Sequence, residues 1–293
     1  MRAMIHAAVL VRCACIGWPA LSAAPGAVGE TAAGEPIHLG PGPHLFLDDF
    51  LVAENEGLTR RVNQPTRLSE PVVTGPEDKC FQPYLTVLRD PRTGRFRIWY
   101  GVPESASQSH LGYMESDDGI RWIRPHRVLE DPAPIQFGVS VIDEGPDWPE
   151  PATRYKYGWW HGGGLCVAAS ADGLSWKPLA GGVVLRHDHD INSIHRDPLR
   201  RRYLAMVSTY TTGETWPGRR RVTMTSTSDD LIRWRKPWLI FTPDARDEGE
   251  TQFYCMSGVI ARGGLLVGLL KVLRDDKRIW EVAAKEPRLK AAF

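Results

Sequence analysis

The chain has 293 residues, enough for about two average domains or for one large all-β domain. With 42% hydrophobic and 24% charged residues it can bury a core, so it is neither disordered nor collagenous. Lys+Arg 36 against Asp+Glu 35 leaves a formal charge of +1, no electrostatic footprint for nucleic acid or an anionic membrane. Gly 28 and Pro 23 exceed average usage and favour many turns over long helices.

Met1 to about Ala24 has a basic start at Arg2, apolar stretches Ala3–Val11 and Cys13–Leu21, and a small-residue run Leu21-Ser22-Ala23-Ala24. That pattern predicts an export signal, and with it a secreted or periplasmic protein, although Arg12 interrupts the apolar stretch. A linker is expected over 25–43. No later segment has the length of uncharged apolar sequence that a membrane-spanning helix needs. Beyond Cys13 and Cys15 only Cys80, Cys166 and Cys255 remain, too far apart for a disulfide framework or a metal knuckle. Each is expected to be a small buried hydrophobe, with one disulfide as the alternative.

A repeat of about 55 residues organises the rest. Ser116-Asp117-Asp118-Gly119-Ile120-Arg121-Trp122 returns as Ser170-Ala171-Asp172-Gly173-Leu174-Ser175-Trp176 and as Ser228-Asp229-Asp230-Leu231-Ile232-Arg233-Trp234, with the tryptophans 54 and 58 residues apart. A second element precedes each: Asp90-Pro91-Arg92-Thr93-Gly94, a looser Asp147 to Tyr155, and Asp197-Pro198-Leu199-Arg200-Arg201. Both are turn chemistry, with a carboxylate capping the turn and Pro or Gly setting the backbone. Alternating runs such as Arg95–Tyr100 and Tyr203–Val207 read as strands. Two hairpins per unit make a four-stranded antiparallel sheet, and such sheets repeated at this period make a β-propeller. A sandwich or β-helix does not require the same turns at so long a period.

The all-β propeller is expected over 44–280, with blades at about 77–128, 135–184, 185–241 and a partial 248–280, then an irregular tail 281–293. His44–Val52 is strand-like and could close the ring against the last blade. Each repeated Trp is expected to pack as core between adjacent blades.

The segments Leu45–Pro65 (LFLDDFLVAENEGLTRRVNQP), Gly94–Tyr100 (GRFRIWY), Ser116–Trp122 (SDDGIRW) and Asp190–Met206 (DINSIHRDPLRRRYLAM) resemble secreted bacterial five-bladed β-propeller proteins related to glycoside hydrolase families 32 and 43. The resemblance implies action on furanosides or related glycans, with three acids supplied by three blades. The W-x-N-D-P-N-G and E-C-P motifs of those families are absent. Five blades at this period need roughly 270–290 residues, so about four are expected here, with the carboxyl-terminal fifth expected to be truncated.

In a propeller the first strand of every blade lines the channel, and a glycosidase needs two carboxylates flanking the scissile bond. Acids at the starts of first strands are therefore the candidates. Asp78 and Glu77 precede Cys80–Leu85, Asp190 lies in His187-Asp188-His189-Asp190-Ile191-Asn192, and Glu248 and Glu250 precede Thr251–Tyr254. The catalytic expectation is Asp78, Asp190 and Glu250, with Asn192, Gln136, His189 and Gln252 holding sugar hydroxyls. Asp90, Asp118, Asp172, Asp197 and Asp230 repeat with the blades and are expected to be turn residues. No cofactor is expected. On a strand His187 and His189 would share one face, too few ligands for zinc, and a channel calcium held by oxygens is the metal alternative. Arg200–Arg202 and Arg219–Arg221 read as solvated turns. The competing functions are a glycoside hydrolase, a non-catalytic carbohydrate-binding or scaffold propeller, and an inactive fragment. A carbohydrate is the expected partner, and the oligomeric state is left open.

Overall fold

A computed structural model of the chain describes residues 6–12, 44, 49, 51–52, 54–73, 84–105, 107–213, 216–244, 247, 250–262 and 265–275. The chain divides into two compact units, Arg12–Ser69, and Met1–Val11 with Glu70–Phe293. In the smaller unit the expected strand His44–Val52 is described only in part. There Val52 N–H donates to Asp49 O at 2.9 Å, so Asp49–Val52 is a turn.

The larger unit is all-β, with strands β1 (His6–Arg12), β2 (Leu85–Arg89), β3 (Phe96–Ser105), β4 (Gln108–Ser116), β5 (Phe137–Asp143), β6 (Tyr155–Trp160), β7 (Gly164–Ser170), β8 (Lys177–Pro178), β9 (Leu185–Arg186), β10 (Asn192–Asp197), β11 (Arg202–Gly213), β12 (Trp216–Ser228), β13 (Trp238–Phe241), β14 (Glu250–Arg262) and β15 (Leu265–Asp275). They form four sheets that follow one another along the chain: β2-β3-β4, then β5-β6-β7-β8 with β9 beside β7, then β10-β11-β12-β13, then β14-β15-β1. The strand β1, inside the segment that reads as an export signal, takes the edge of β15. In the first sheet the fourth position is filled by isolated bridges from Ile123 and Val128 to β4. No helix among the described residues is long and apolar enough to cross a membrane.

The repeated turns are self-contained. Ser116 Oγ accepts the N–H of Gly119 at 2.9 Å, and Asp118 Oδ1 accepts those of Ile120 and Arg121 at 2.8 and 2.7 Å. Ser170 with Asp172 repeats the pattern, and in the third copy Asp230 Oδ1 accepts the N–H groups of Ile232 and Arg233 while Ser228 Oγ accepts that of Asp230. The backbone N–H donors hold the Asp118 and Asp230 carboxyls below the usual carboxylate range. Gly119 and Gly173 have φ of +74° and +79°, and in the third copy Leu231 takes +65°. Leu231 is a buried core residue packed near Trp234, so burial of its side chain offsets the conformational cost of a left-handed leucine.

The core lies between sheets. Trp99, Leu111 and Tyr113 of the first sheet meet Val139, Tyr155, Tyr157, Trp159 and Trp176 of the second. Ile142, Leu165 and Val167 of the second meet Ile194, Tyr203 and Val207 of the third, and Leu204 and Met206 of the third meet Met256, Leu266 and Leu270 of the fourth. The repeated tryptophans divide. Trp176 is buried between sheets and Trp234 packs against the next joint, whereas Trp122 lies on the cluster of Ile98, Tyr100, Val102 and Met114 within its own sheet. Trp122 and Trp234 close their own turns through Nε1–H to Gly119 O and Leu231 O. In the second copy that carbonyl is taken by the neighbouring sheet: Trp99 Nε1–H donates to Gly173 O at 2.6 Å. Arg97 adds a bond to Asp172 O at 2.5 Å, with its guanidinium over the rings of Trp99, Tyr113 and Tyr155.

First strands are joined by hydroxyls. Thr86 of β2 donates to Val139 O and accepts Val141 N–H on β5, at 3.2 and 3.0 Å. Ser140 of β5 does the same to Ile194 on β10, at 3.1 Å to the carbonyl and 2.9 Å from the amide. Ser193 of β10 donates to Met256 O on β14 at 2.8 Å. These bridges set β2, β5, β10 and β14 side by side, and the contacts of Tyr84 with Phe137 and Asp190 bring the starts of β2, β5 and β10 to the same end of the molecule. First strand against first strand, with sheets stacked face to face, is the propeller arrangement.

Candidate functional site

The residues that open β2, β5 and β10 therefore come together at one end of the sheets, the mouth. Asp190 stands two residues before Asn192, the first residue of β10. Its Oδ2 accepts the Tyr84 hydroxyl from the end of the segment entering β2, at 3.2 Å, and its Oδ1 is 3.0 Å from His189 Nε2. One carboxylate is thus oriented by groups from the first and third sheets. His189 is buried, and burial lowers its pKa against the opposing pull of Asp190.

The expectation that His187 to Asp190 lie on a strand is corrected. They form a bend before β10, and the contact of adjacent His189 and Asp190 follows from that bend rather than from strand alternation. Asp188 faces a different duty: Thr209 Oγ, Tyr210 N–H and Arg219 all bond it, tying the bend to the hairpin of β11 and β12. Arg219 and Arg221, expected as solvated, both have their guanidinium groups over Tyr210, at 5.4 and 5.5 Å from its centroid. Arg221 Nε–H donates to the Tyr210 hydroxyl at 3.0 Å, and the Tyr210 ring meets His189 edge-on at 5.3 Å.

Asn192 is 6% exposed. Its amide nitrogen donates to His187 Nε2 at 3.4 Å, which leaves the His187 proton on Nδ1. Burial drops the His187 pKa to about 4, so the ring is neutral. Asn192 Oδ1, Trp160 Nε1 and His161 Nδ1 are buried without a hydrogen-bond partner in the chain, while the His187 ring faces the backbone of His189 and Ser208. Buried polar atoms are satisfied in almost all folded proteins, so these atoms at the end of β6 and the start of β10 require a partner from outside the chain, water or a polar ligand.

Gln136 contributes through its backbone, its N–H donating to Trp160 O at 3.2 Å and its carbonyl accepting Ser109 Oγ–H at 3.0 Å. Gln252 Oε1 accepts Arg221 N–H at 3.3 Å, so it connects β14 to β12. Asp78 lies outside the described residues, as do Glu77 and Glu248. Glu250 opens β14 opposite Asp275, and its side chain is not among those described. The mouth therefore assembles Asp190, His189 and Asn192 with the backbone of Gln136. Among the described residues no three His, Cys, Asp or Glu side chains are grouped as metal ligands.

Three aromatic residues complete the mouth without having been singled out as site residues. Tyr84 and Phe137 have centroids 6.3 Å apart, and Phe137 and Trp160 5.9 Å, each ring half-buried. They come from three strand ends in two sheets. In sequence each reads only as strand content, and nothing local marks them as neighbours.

No family model matches the chain, and no curated protein matches it in sequence. Solved structures do match. A glycoside hydrolase is 12% identical with a TM-score of 0.44, the match covering 62% of each chain. A family 43 α-L-arabinofuranosidase from Clostridium thermocellum is 11% identical, TM-score 0.40, covering 63% of this chain and 59% of that one. A family 32 β-fructofuranosidase of Bombyx mori, solved with sucrose, is 16% identical, TM-score 0.40, covering 60% of this chain and 38% of that one. The chain thus spans less than two thirds of each of these structures.

Proposed function

We propose that the channel mouth binds a furanoside or oligosaccharide and hydrolyses a glycosidic bond, with Asp190 as one of two paired carboxylates. The observation that carries this reading is Asp190 itself: an oriented carboxylate at the common end of the first strands, beside the unpartnered buried Oδ1 of Asn192. A glycosidase needs one carboxyl to protonate the leaving oxygen and a second as nucleophile or base. Asp190 supplies one, and Glu250 at the start of β14 and Asp78 before β2 are the proposed sources of the other. Asn192 Oδ1 accepts from a sugar hydroxyl, and Trp160 Nε1–H donates to one. His189 positions Asp190.

The test is Asp190→Asn assayed on a panel of aryl furanosides and pyranosides. Loss of turnover with sugar binding retained supports the enzyme. Unchanged hydrolysis overturns the assignment. A protein that binds glycans at the mouth without turning over any of the panel is the non-catalytic carbohydrate-binding alternative. Export is part of the proposal, resting on Met1–Ala24, and amino-terminal sequencing of the protein isolated from its source checks it.

A further inference from the structure

The aromatic side of the mouth has a structural cause. In the ladder between β5 and β6, Phe137 pairs with Trp160 and Ser140 with Gly158, so Gly138 and Val139 together oppose Trp159. That is a β-bulge, a device that bends a strand and re-aims the side chains beside it. Gly138 has φ +89°, a conformation that L residues rarely adopt. A Cβ there would come 3.6 Å from Trp160 N and 3.9 Å from Asn192 Oδ1, so the glycine also lies between the aromatic and the polar residues of the mouth. Before the bulge, Phe137 has its ring between Tyr84 and Trp160, tilted 48° and 35° to them.

The mouth is therefore two-sided. One side has the rings of Tyr84, Phe137 and Trp160, and the other has Asp190, Asn192 and His187, with the Tyr84 hydroxyl joining the two at Asp190. We propose, on the basis of the carbohydrate-site reading above, that the aromatic side is a stacking subsite for a neutral hexopyranosyl unit of an oligosaccharide, with Phe137 as its specificity-determining residue. A hexopyranose in its chair form gathers several C–H bonds on one face while its hydroxyls project from the edge, which matches an apolar wall facing hydrogen-bonding groups. A furanose carries substituents on both faces of a smaller ring and offers less continuous C–H surface. Aromatic faces favour such contact through burial of apolar area.

Saturation-transfer NMR on the full chain tests this without requiring turnover. The probes are methyl β-D-galactopyranoside, whose ring protons on carbons three to five lie on one face, and methyl α-L-arabinofuranoside. The expected result is saturation concentrated on that face of the pyranoside, with affinity about five- to tenfold weaker in Phe137→Ala. If Phe137→Ala fails to fold by circular dichroism, Phe137→Leu retains apolar bulk, removes the ring and gives the same expected loss. Undiminished pyranoside binding in a folded variant, or saturation confined to the methyl aglycone, overturns the proposal. Binding of the furanoside alone, abolished by Asn192→Ala, also overturns it and leaves the carbohydrate-site reading standing. No binding of either probe defeats both.

Discussion

The hydroxyl bridge from Ser140 to Ile194 is the sharpest test of how the sheets are held together. Ser140 is 6% exposed, and its single oxygen serves both backbone groups of Ile194, donating to the carbonyl and accepting from the amide. Ser140→Ala removes both bonds and leaves a donor and an acceptor unpaired at a buried joint. An ordinary hydrogen bond contributes about 1 kcal/mol net, and an orphaned buried group costs about 1–3 kcal/mol. The expected loss is about 2–3 kcal/mol, since the alanine methyl fits the space and makes no clash. For a domain of this size that corresponds to a fall of roughly 4–12 °C in Tm. Guanidinium unfolding followed by far-ultraviolet circular dichroism measures it, with the exposed Ser175→Ala as the control expected within about 0.5 kcal/mol. Amide exchange at Ile194 should accelerate with it. A Ser140→Ala stability within about 0.5 kcal/mol of the parent, at an unchanged m-value, would refute the reasoning that these bridges join the sheets.

Two further outcomes follow from the turns and the mouth rim. Gly173→Ala places a Cβ 2.7 Å from Trp99 Cζ2 at φ +79°, whereas Gly119→Ala at the same turn position meets the Phe96 ring at an ordinary 3.5 Å. Gly119→Ala should cost about 1–2 kcal/mol for conformation alone and Gly173→Ala at least about 1 kcal/mol more; equal losses in denaturant titration would contradict the packing at Trp99. His110 Nδ1 lies 2.7 Å from Asp131 and Nε2 3.1 Å from Glu104, and the Asp131 hydrogen bond raises its pKa. A raised histidine pKa adds stability that is full below the unfolded value of about 6.5 and is lost as pH rises through the folded value. His110→Gln should therefore melt below the parent at pH 5.5, with the gap closing by pH 8.5; a gap constant across that range would remove the charge from the account.

How much was legible beforehand depended on how far apart the interacting residues lie in the chain. The Ser-x-Asp turns were readable because every hydrogen bond of Ser116 and Asp118 falls within a few residues, and the period of those turns gave the stacked sheets. Asp190 and Asn192 were readable because a strand start is a local event. Tyr84, Phe137 and Trp160 were not, since packing alone brings together residues whose own surroundings are ordinary strand sequence. His187 to Asp190 were misread as a strand because alternation was extended across a bend that Asp188 fixes by bonding Thr209 and Tyr210, about twenty residues on. Likewise Trp176 looked equivalent to Trp122 and Trp234, yet the Gly173 carbonyl is claimed by Trp99, 74 residues away.

The distribution of aromatic side chains between the joints has an optical consequence. Trp99, Trp159 and Trp176, with Tyr113, Tyr155 and Tyr157, all line the joint between the first and second sheets, while the buried set between the third and fourth consists of Leu204, Met206, Met256, Val259, Leu266 and Leu270. The buried tryptophans among the described residues therefore report on the first joint, and the apolar packing between the third and fourth sheets can part without disturbing them. A melt watched through tryptophan emission and one watched by calorimetry are observing different seams of the same molecule. Their midpoints coincide only if all three seams give way together.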